Sequence, residues 1–478
     1  MVRSRSAPSV PCTRRLAKPL VQSRSLGRTL FFIIVFALAG LGLLYLVVTT
    51  SLVAYLANSN PNLALRINPT DPVALLNVAE RKFIASLQRA RDRQKDSTPV
   101  TATPSENGTQ PDPNPADPQQ PELRFSHQDA EEIRDLVARA LLNDPINARG
   151  VRIMGLLADL TGDKERAELF MRAAARLSPR DTAAVGWLVQ RTFDTKMYAD
   201  TVAYADLLLR AQPSLMPTVA PLLSQVAEDR EGSPLLKEIL LRNPPWRSAF
   251  LQSMLNHVKD THLPLDLLLA LKATSTPACL GDIANYIRFL NRAGHYEQAY
   301  FAWLQFVSEK EIGTPGLIHN GSFESKPDGL PYNWQLLDGA SARVEIIKRS
   351  DKPHQHALSI ELAGGRVAFP GVSQLIKAPP GSYTVSGEQF ADLRGRRGFR
   401  WRVTCLETST VIGESSMITG KSRGWEPFEF EVRVSAENCR AQELKLIHDA
   451  RSASEQMVLG SLMCDGLIMR RIAVPTVR

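Results

Sequence analysis

Apolar and polar positions follow three different patterns along this chain. From Leu30 to Leu56 the sequence LFFIIVFALAGLGLLYLVVTTSLVAYL has no recurring polar face, and no charged residue stands between Thr29 and Leu65. A helix crosses the hydrocarbon core of a bilayer with about 20 apolar residues, so 29–57 reads as a transmembrane helix. A cleaved signal would have an apolar region of about 7–15 residues and a small-residue exit. Here the run is longer, and the bulky Tyr55 and Leu52 stand two before Ala57 and Ala54. From 62 to 310 the apolar residues recur at helical spacing. The segment 71–90, DPVALLNVAERKFIASLQRA, reads as an amphipathic helix with Pro72 in its first turn, where a missing N–H costs nothing. Residues 94–122 hold seven prolines and almost no large apolar side chain, which predicts a disordered insert. Helical patterning resumes at Ser126, with Ser126 and Asp129 as a capping pair. The helices on either side of the insert read as one unit that it splits. From Gly316 the period changes to two, with Gly, Pro and Asp punctuation. Strands are expected at 342–348, 357–363, 372–378, 382–390, 399–407, 428–434, 443–449 and 457–472. Short strands at that spacing predict an antiparallel β-sandwich over 315–478.

Composition and charge narrow the function classes. The 478 residues are 44% hydrophobic and 22% charged, which excludes a wholly disordered chain. Formal net charge is +8, and Arg3, Arg5, Arg14, Arg15, Lys18, Arg24 and Arg28 supply seven of these charges within an arm, 1–28, that has no acidic residue. The rest of the chain is close to neutral, which argues against a nucleic-acid partner. A basic flank beside an apolar span belongs in the cytoplasm. The expected topology is therefore a single pass of the inner (plasma) membrane, with the bulk of the chain periplasmic. Five cysteines occur without a C-x-x-C pair, which gives no sign of a zinc ribbon or a thioredoxin-type site. Cys405 and Cys439 each lie at or near a strand of the same sandwich in an oxidising compartment, and a disulfide between them is expected. Cys464 is a competitor for either partner.

Pro145, Pro179 and Pro213 are spaced by 34 residues, and Gly155, Gly162, Ala167 and Ala174 stand between the first two. Gly294, Tyr296 and Ala299 repeat the offset of Gly162 to Ala167. The period, the small residues and the closing proline resemble the tetratricopeptide repeat. Ala158 and Thr201 depart from that pattern. The resemblance implies an all-α solenoid within 62–310 whose concave face holds a protein partner.

The opening GLIHNGSFES with Trp334, and the closing CDGLIMRRI, resemble the jelly-roll family of carbohydrate-binding modules. The residues that carry this are Asn320, Gly321, Phe323, Glu324 and Asp465. In similar modules Glu324 and Asp465 can hold a structural calcium, which prefers carboxylate oxygen; the alternative is a terminal hydrogen bond or cap. No other cofactor is implied. Tyr332 and Phe390, nearer loops than Trp334, Trp401 and Trp425, are the aromatic candidates for a glycan. Arg394, Arg397 and Arg400, with Arg396 and Arg402, read either as a solvated loop or as a cationic site for an acidic polysaccharide or lipid headgroup.

Other constellations carry little. Gly420-Lys421-Ser422-Arg423-Gly424 has the letters of a nucleophile elbow, but the strand-like WEPFEFEV follows where a helix is required. His354 and His356 lack a third ligand and read as loop residues. With no defensible acid–base pair, no enzyme is expected. The domain resemblances imply a scaffold of the cell envelope, linked to exopolysaccharide or envelope-glycan assembly, with the solenoid on a protein and the sandwich on a glycan. A pure protein–protein adaptor is the alternative, and an envelope-glycan hydrolase stands behind both.

Overall fold

A computed structural model describes residues 25–96, 125–308 and 316–472. The expected arm as far as residue 24, the proline-rich insert 94–122 for the most part, and the extreme C-terminus lie outside the described residues. The chain forms two compact units, up to Ala184 and from Val185 onwards.

The first unit is helical: α1 (Ser25–Ser59), α2 (Pro61–Ile67), α3 (Pro72–Asp96), α4 (His127–Asn143), α5 (Ala148–Leu160), α6 (Lys164–Leu177) and the start of α7 (Thr182–Asp194). Phe31–Ser59 of α1 is long and apolar enough to span a membrane. Helix starts repeat one local device. Asp71, Asn147 and Asp181 each follow a proline by two residues, and their carboxylate or amide oxygens accept from Ala74 N (2.7 Å), Gly150 N (3.2 Å) and Ala184 N (3.1 Å). Such caps satisfy donors that the first turn leaves orphaned. Ser126 is a correction: it occupies the cap position of α4, but its side chain makes no capping bond. Leu75, Leu76 and Phe83 of α3 share one buried cluster with Ile133 and Val137 of α4 and Ile153 and Leu157 of α5, so the two helices flanking the insert do pack together. Gly155 is small for a visible reason, since a Cβ there would stand 3.1 Å from Met171 Cε. Ala167 and Ala174 on the same pair of helices are fully buried.

The second unit continues with α8 (Tyr198–Ala211), α9 (Met216–Glu228), α10 (Gly232–Leu241), α11 (Arg247–Met254), α12 (Leu263–Lys272), α13 (Leu280–Arg292) and α14 (Tyr296–Leu304). Thr201, which departs from the repeat pattern, is fully buried, and its hydroxyl donates to Thr192 Oγ1 at 3.1 Å. The polar group is thereby satisfied. Gly162 (φ 86°) and Gly294 (φ 78°) both make the left-handed turn between consecutive helices, which explains their shared offset.

Eleven strands follow among the described residues: β1 (Gln335–Leu336), β2 (Ala342–Lys348), β3 (His356–Arg366), β4 (Val372–Ile376), β5 (Gly381–Gly395), β6 (Phe399–Cys405), β7 (Val411–Glu414), β8 (Gly420–Lys421), β9 (Glu426–Val434), β10 (Gln442–His448) and β11 (Met457–Arg471). They form two antiparallel sheets. One has the order β1-β4-β10-β6-β7; the other runs β2-β3-β11-β5, with β8 and β9 both pairing β5. Alternate side chains of both sheets meet in one core around Trp334, Trp401, Phe399 and Val403, all fully buried. The opening turn meets the closing strand. Gly321 O accepts from Leu467 N at 2.9 Å, and a Cβ at Gly321 would fall 2.0 Å from Leu467 O, so only glycine fits there. Asn320 clamps the same turn through both of its amide atoms to Ser325, and Phe323 plugs the core. Cys405, at the end of β6, is joined to Cys439, with Cα atoms 5.3 Å apart. Cys464 is free and buried on β11.

Candidate functional site on the outer face of the second sheet

Val385, Ala391 and Leu393 of β5, and Leu462 and Cys464 of β11, point into the core. Strand alternation therefore turns Ser386, Glu388 and Phe390 outward, together with Asp465, whose register partner is Glu388. On this outer face lies a cleft of about 910 Å³. Arg349, just past β2, is its organising residue. The guanidinium side chain is 1% exposed and donates to Asp351 (3.0 and 2.7 Å), Glu388 (2.8 Å) and Asp465 (2.5 Å). Its plane also lies 3.7 Å from the centre of the Trp425 ring, which in turn sits 6.2 Å from Phe390. Hydrogen bonding by Arg349 holds the Asp351 carboxyl down at about 2, and the same bonds raise the guanidinium despite the opposing cost of burial.

Glu324 stands at the other side of the cleft. It accepts from the His356 backbone N (3.0 Å) and faces His356 Nδ1 at 2.9 Å. Burial raises its carboxyl, and the bonds from His356 outweigh that and leave it lowered. Glu324 and Asp465 thus share a cleft, as expected of the two ends of the domain. Each, however, is engaged by a cationic or donor side chain of the protein. The position between Asp465, Glu388 and Asp351 belongs to a guanidinium, and no group of three His, Cys, Asp or Glu placed for a metal occurs among the described residues. Asp465 on Arg349 and Glu324 on His356 are in the hydrogen-bonded arrangement that stands as the alternative to calcium. His356 begins β3 rather than lying in a loop, and His354 lines the cleft.

The remaining site residues are placed as follows. Tyr332 is 1% exposed and offers no face to a sugar. Its hydroxyl lies within hydrogen-bond distance of Asn291 Oδ1 (3.0 Å) and Tyr296 O (3.3 Å), and its ring packs on Tyr300 and Trp303, which fastens the sandwich to α13 and α14. Phe390 is half-buried on a strand, next to Trp425 on the outer face. The arginine cluster is largely neutralised. Arg400 pairs with Glu414 (3.1 Å) and Asp449 (2.9 Å), Arg402 with Glu414 (2.5 Å), and Arg397 approaches Asp449 (3.5 Å) and Glu455 (3.6 Å). Arg394 is exposed on β5. Arg397, Arg400 and Arg402 with their three carboxylates make a structural network, while Arg394 and Arg396 stand exposed. Ser422, in the elbow-like loop, places its hydroxyl on the Ala391 backbone N (3.3 Å), and no helix follows it.

Arg349 and Trp425 escaped sequence reasoning. The available signal was an arginine two residues before an aspartate in the loop RSDKP, a spacing that lets both side chains meet. Trp425 reads as core because strand-like residues follow it.

No family model matches this sequence, and no curated protein matches it. Solved structures similar to the sandwich include one described as "CBM4 structure and function", 14% identical, covering 32% of this chain and 99% of that chain, with a TM-score of 0.24. Another is TmCBM61 in complex with β-1,4-galactotriose, 18% identical, covering 33% of this chain and 100% of that chain, with a TM-score of 0.24. A third holds the CBM22-1 and GH10 modules of Clostridium thermocellum xylanase 10B with xylohexaose; it is 13% identical and covers 32% of this chain but 28% of that one, with a TM-score of 0.24. Such scores bear on neither ligand nor activity, and the two-sheet architecture stands on its strand pairings.

Proposed function

We propose that the chain is a membrane-anchored scaffold whose sandwich binds a neutral glycan in the outer-face cleft without turning it over. The observation that carries this reading is the cleft itself. Arg349 fixes the Trp425 ring from one side and locks Asp351, Glu388 and Asp465 in place. Oriented acceptors are what vicinal hydroxyls require, and Trp425 supports them from behind Arg349, not from the lining of the cleft. Glu324, Glu388, Glu429 and Asp465 line the cleft against Arg349 and Lys352, so its balance is negative and an acidic polymer is disfavoured. Glu324 is tied to His356 and Asp465 to Arg349, which leaves neither placed for acid–base work and supports a binding role.

The helical part, read as a tetratricopeptide-like solenoid, would hold a protein partner. Exposed Leu142, Ile146 and Leu169 in the first unit support that reading. The apolar helix would anchor the chain in the plasma membrane with the arm cytoplasmic, which a C-terminal alkaline phosphatase fusion checks: activity is expected, and an inactive but expressed fusion reverses the topology. For the glycan, the detergent-solubilised full chain is run through gels containing neutral glucan, xylan or galactan. Retardation by at least one is expected, lost in Trp425→Ala, with no reducing sugar released. Passage unretarded through all of them favours the adaptor, and released reducing sugar means hydrolysis.

A further inference from the structure

A second cavity, of about 740 Å³, lies within the second unit between α11 and α13 on one side and the outer face of the first sheet on the other, where Gln335 of β1, Ser373 and Leu375 of β4 and Glu443 of β10 line it. Its chemistry differs from that of the cleft. Arg288 and Arg292 stand one turn apart on α13, and both are exposed. Neither forms an ion pair among the described residues; Arg288 donates to Asn285 Oδ1 at 3.0 Å, which steadies it at the rim. Asn291, on the same helix, gives its Oδ1 to the Tyr332 hydroxyl. Gln335 faces these groups from the sheet, and Glu443 is the one carboxylate among the lining residues, so the balance of charge is positive.

We propose that this cavity is a binding site for an acidic saccharide of the uronate type. Neighbouring guanidinium groups pair with a carboxylate through charge-assisted bonds. Planar amides of Asn285 and Gln335 match ring hydroxyls, and the volume lies in the range of small-molecule sites. The site is independent of the outer-face cleft and does not rest on the function proposed for it. An occupant would touch both α13 and the outer face of the sheet, bridging the helical part of this unit to its sandwich.

The test uses calorimetric titration of the detergent-solubilised full chain with a soluble tetra-uronate and with its carboxyl-reduced, neutral counterpart. The uronate is expected to bind roughly tenfold or more tightly than the neutral form, and the affinity is expected to fall with added salt. Arg288→Gln with Arg292→Gln should weaken uronate binding by roughly tenfold or more. Both side chains are exposed, so folding is expected to survive, and an unchanged thermal midpoint verifies it. Trp425→Ala should leave uronate binding unchanged. The proposal is overturned if the double variant binds like the parent, if the neutral oligomer binds equally well, or if Trp425→Ala abolishes uronate binding. Displacement by inorganic sulfate at the concentration of the uronate would reduce the cavity to a simple anion site and overturn the saccharide assignment.

Discussion

Arg349 concentrates the electrostatics of the sandwich in one residue. A guanidinium that is 1% exposed pays for its desolvation with bonds to three carboxylates, and removing one partner of such a cluster leaves charge uncompensated. Its titration behaviour follows. The Asp351 carboxyl sits at about 2 in the folded chain, below the ordinary unfolded value of about 3.9. The unfolded state therefore binds its proton first as pH falls. The contribution of Asp351 is complete above pH ~4 and is lost as pH falls through about 2. Thermal midpoints of Asp351→Asn should accordingly converge on those of the parent near pH 2 and lie below them at pH 6. Parallel curves across that window would remove the clasp from the account. The sequence exposed this residue poorly, because an arginine in a loop carries no period and the meaning of Arg349 lies in partners 39 and 116 residues away. The NGSFE turn, by contrast, was legible, since Asn320, Gly321 and Phe323 act locally or at one contact.

Among the elements, the long strands were visible in the period-two pattern. β1, β7 and β8, at two, four and two residues, are too short to show a period. Tyr332 was misread for a related reason. Proximity to a loop suggested exposure, but the loop packs under α13 and α14, and that neighbour belongs to a different stretch of the chain. Tyr332→Ala should cost about 3–5 kcal/mol of stability and Tyr332→Phe about 1 kcal/mol, by chemical denaturation. An equal, small effect of both would mean that the tyrosine does not fasten the sandwich to the helices. A cut near 315 would uncover the same ring, so the sandwich is best studied with its helices attached. The Cys405–Cys439 link closes a loop with a sequence separation of 34, and replacing both by serine should cost about 3–4 kcal/mol in the chain-entropy view. Peptide mapping without reduction should recover the two peptides joined. Cys464, whose thiol burial pushes up to about 12, should be found free; a Cys464-containing bridge would contradict the assignment.

At the scale of the whole molecule, sequence order and structure agree on an apolar N-terminal helix, then helices, then antiparallel sheets. What the sequence could not place was the ligand surface. The arginine-rich segment 394–402 drew attention by composition, yet Arg397, Arg400 and Arg402 face Asp449, Glu414 and Glu455, which are distant in sequence. Charge runs report a site only when the fold leaves them unmatched, and matching is a tertiary property. The central claim is that the outer-face cleft is where the sandwich meets a glycan. Hydrogen exchange of the full chain, with and without the neutral polysaccharide that retards it, tests this most directly. The account predicts slowed exchange in 349–355, 386–390 and 425–429, with the rest of the sandwich unchanged. Protection confined to the helices, or none at all in those three segments while the polysaccharide is bound, would contradict it.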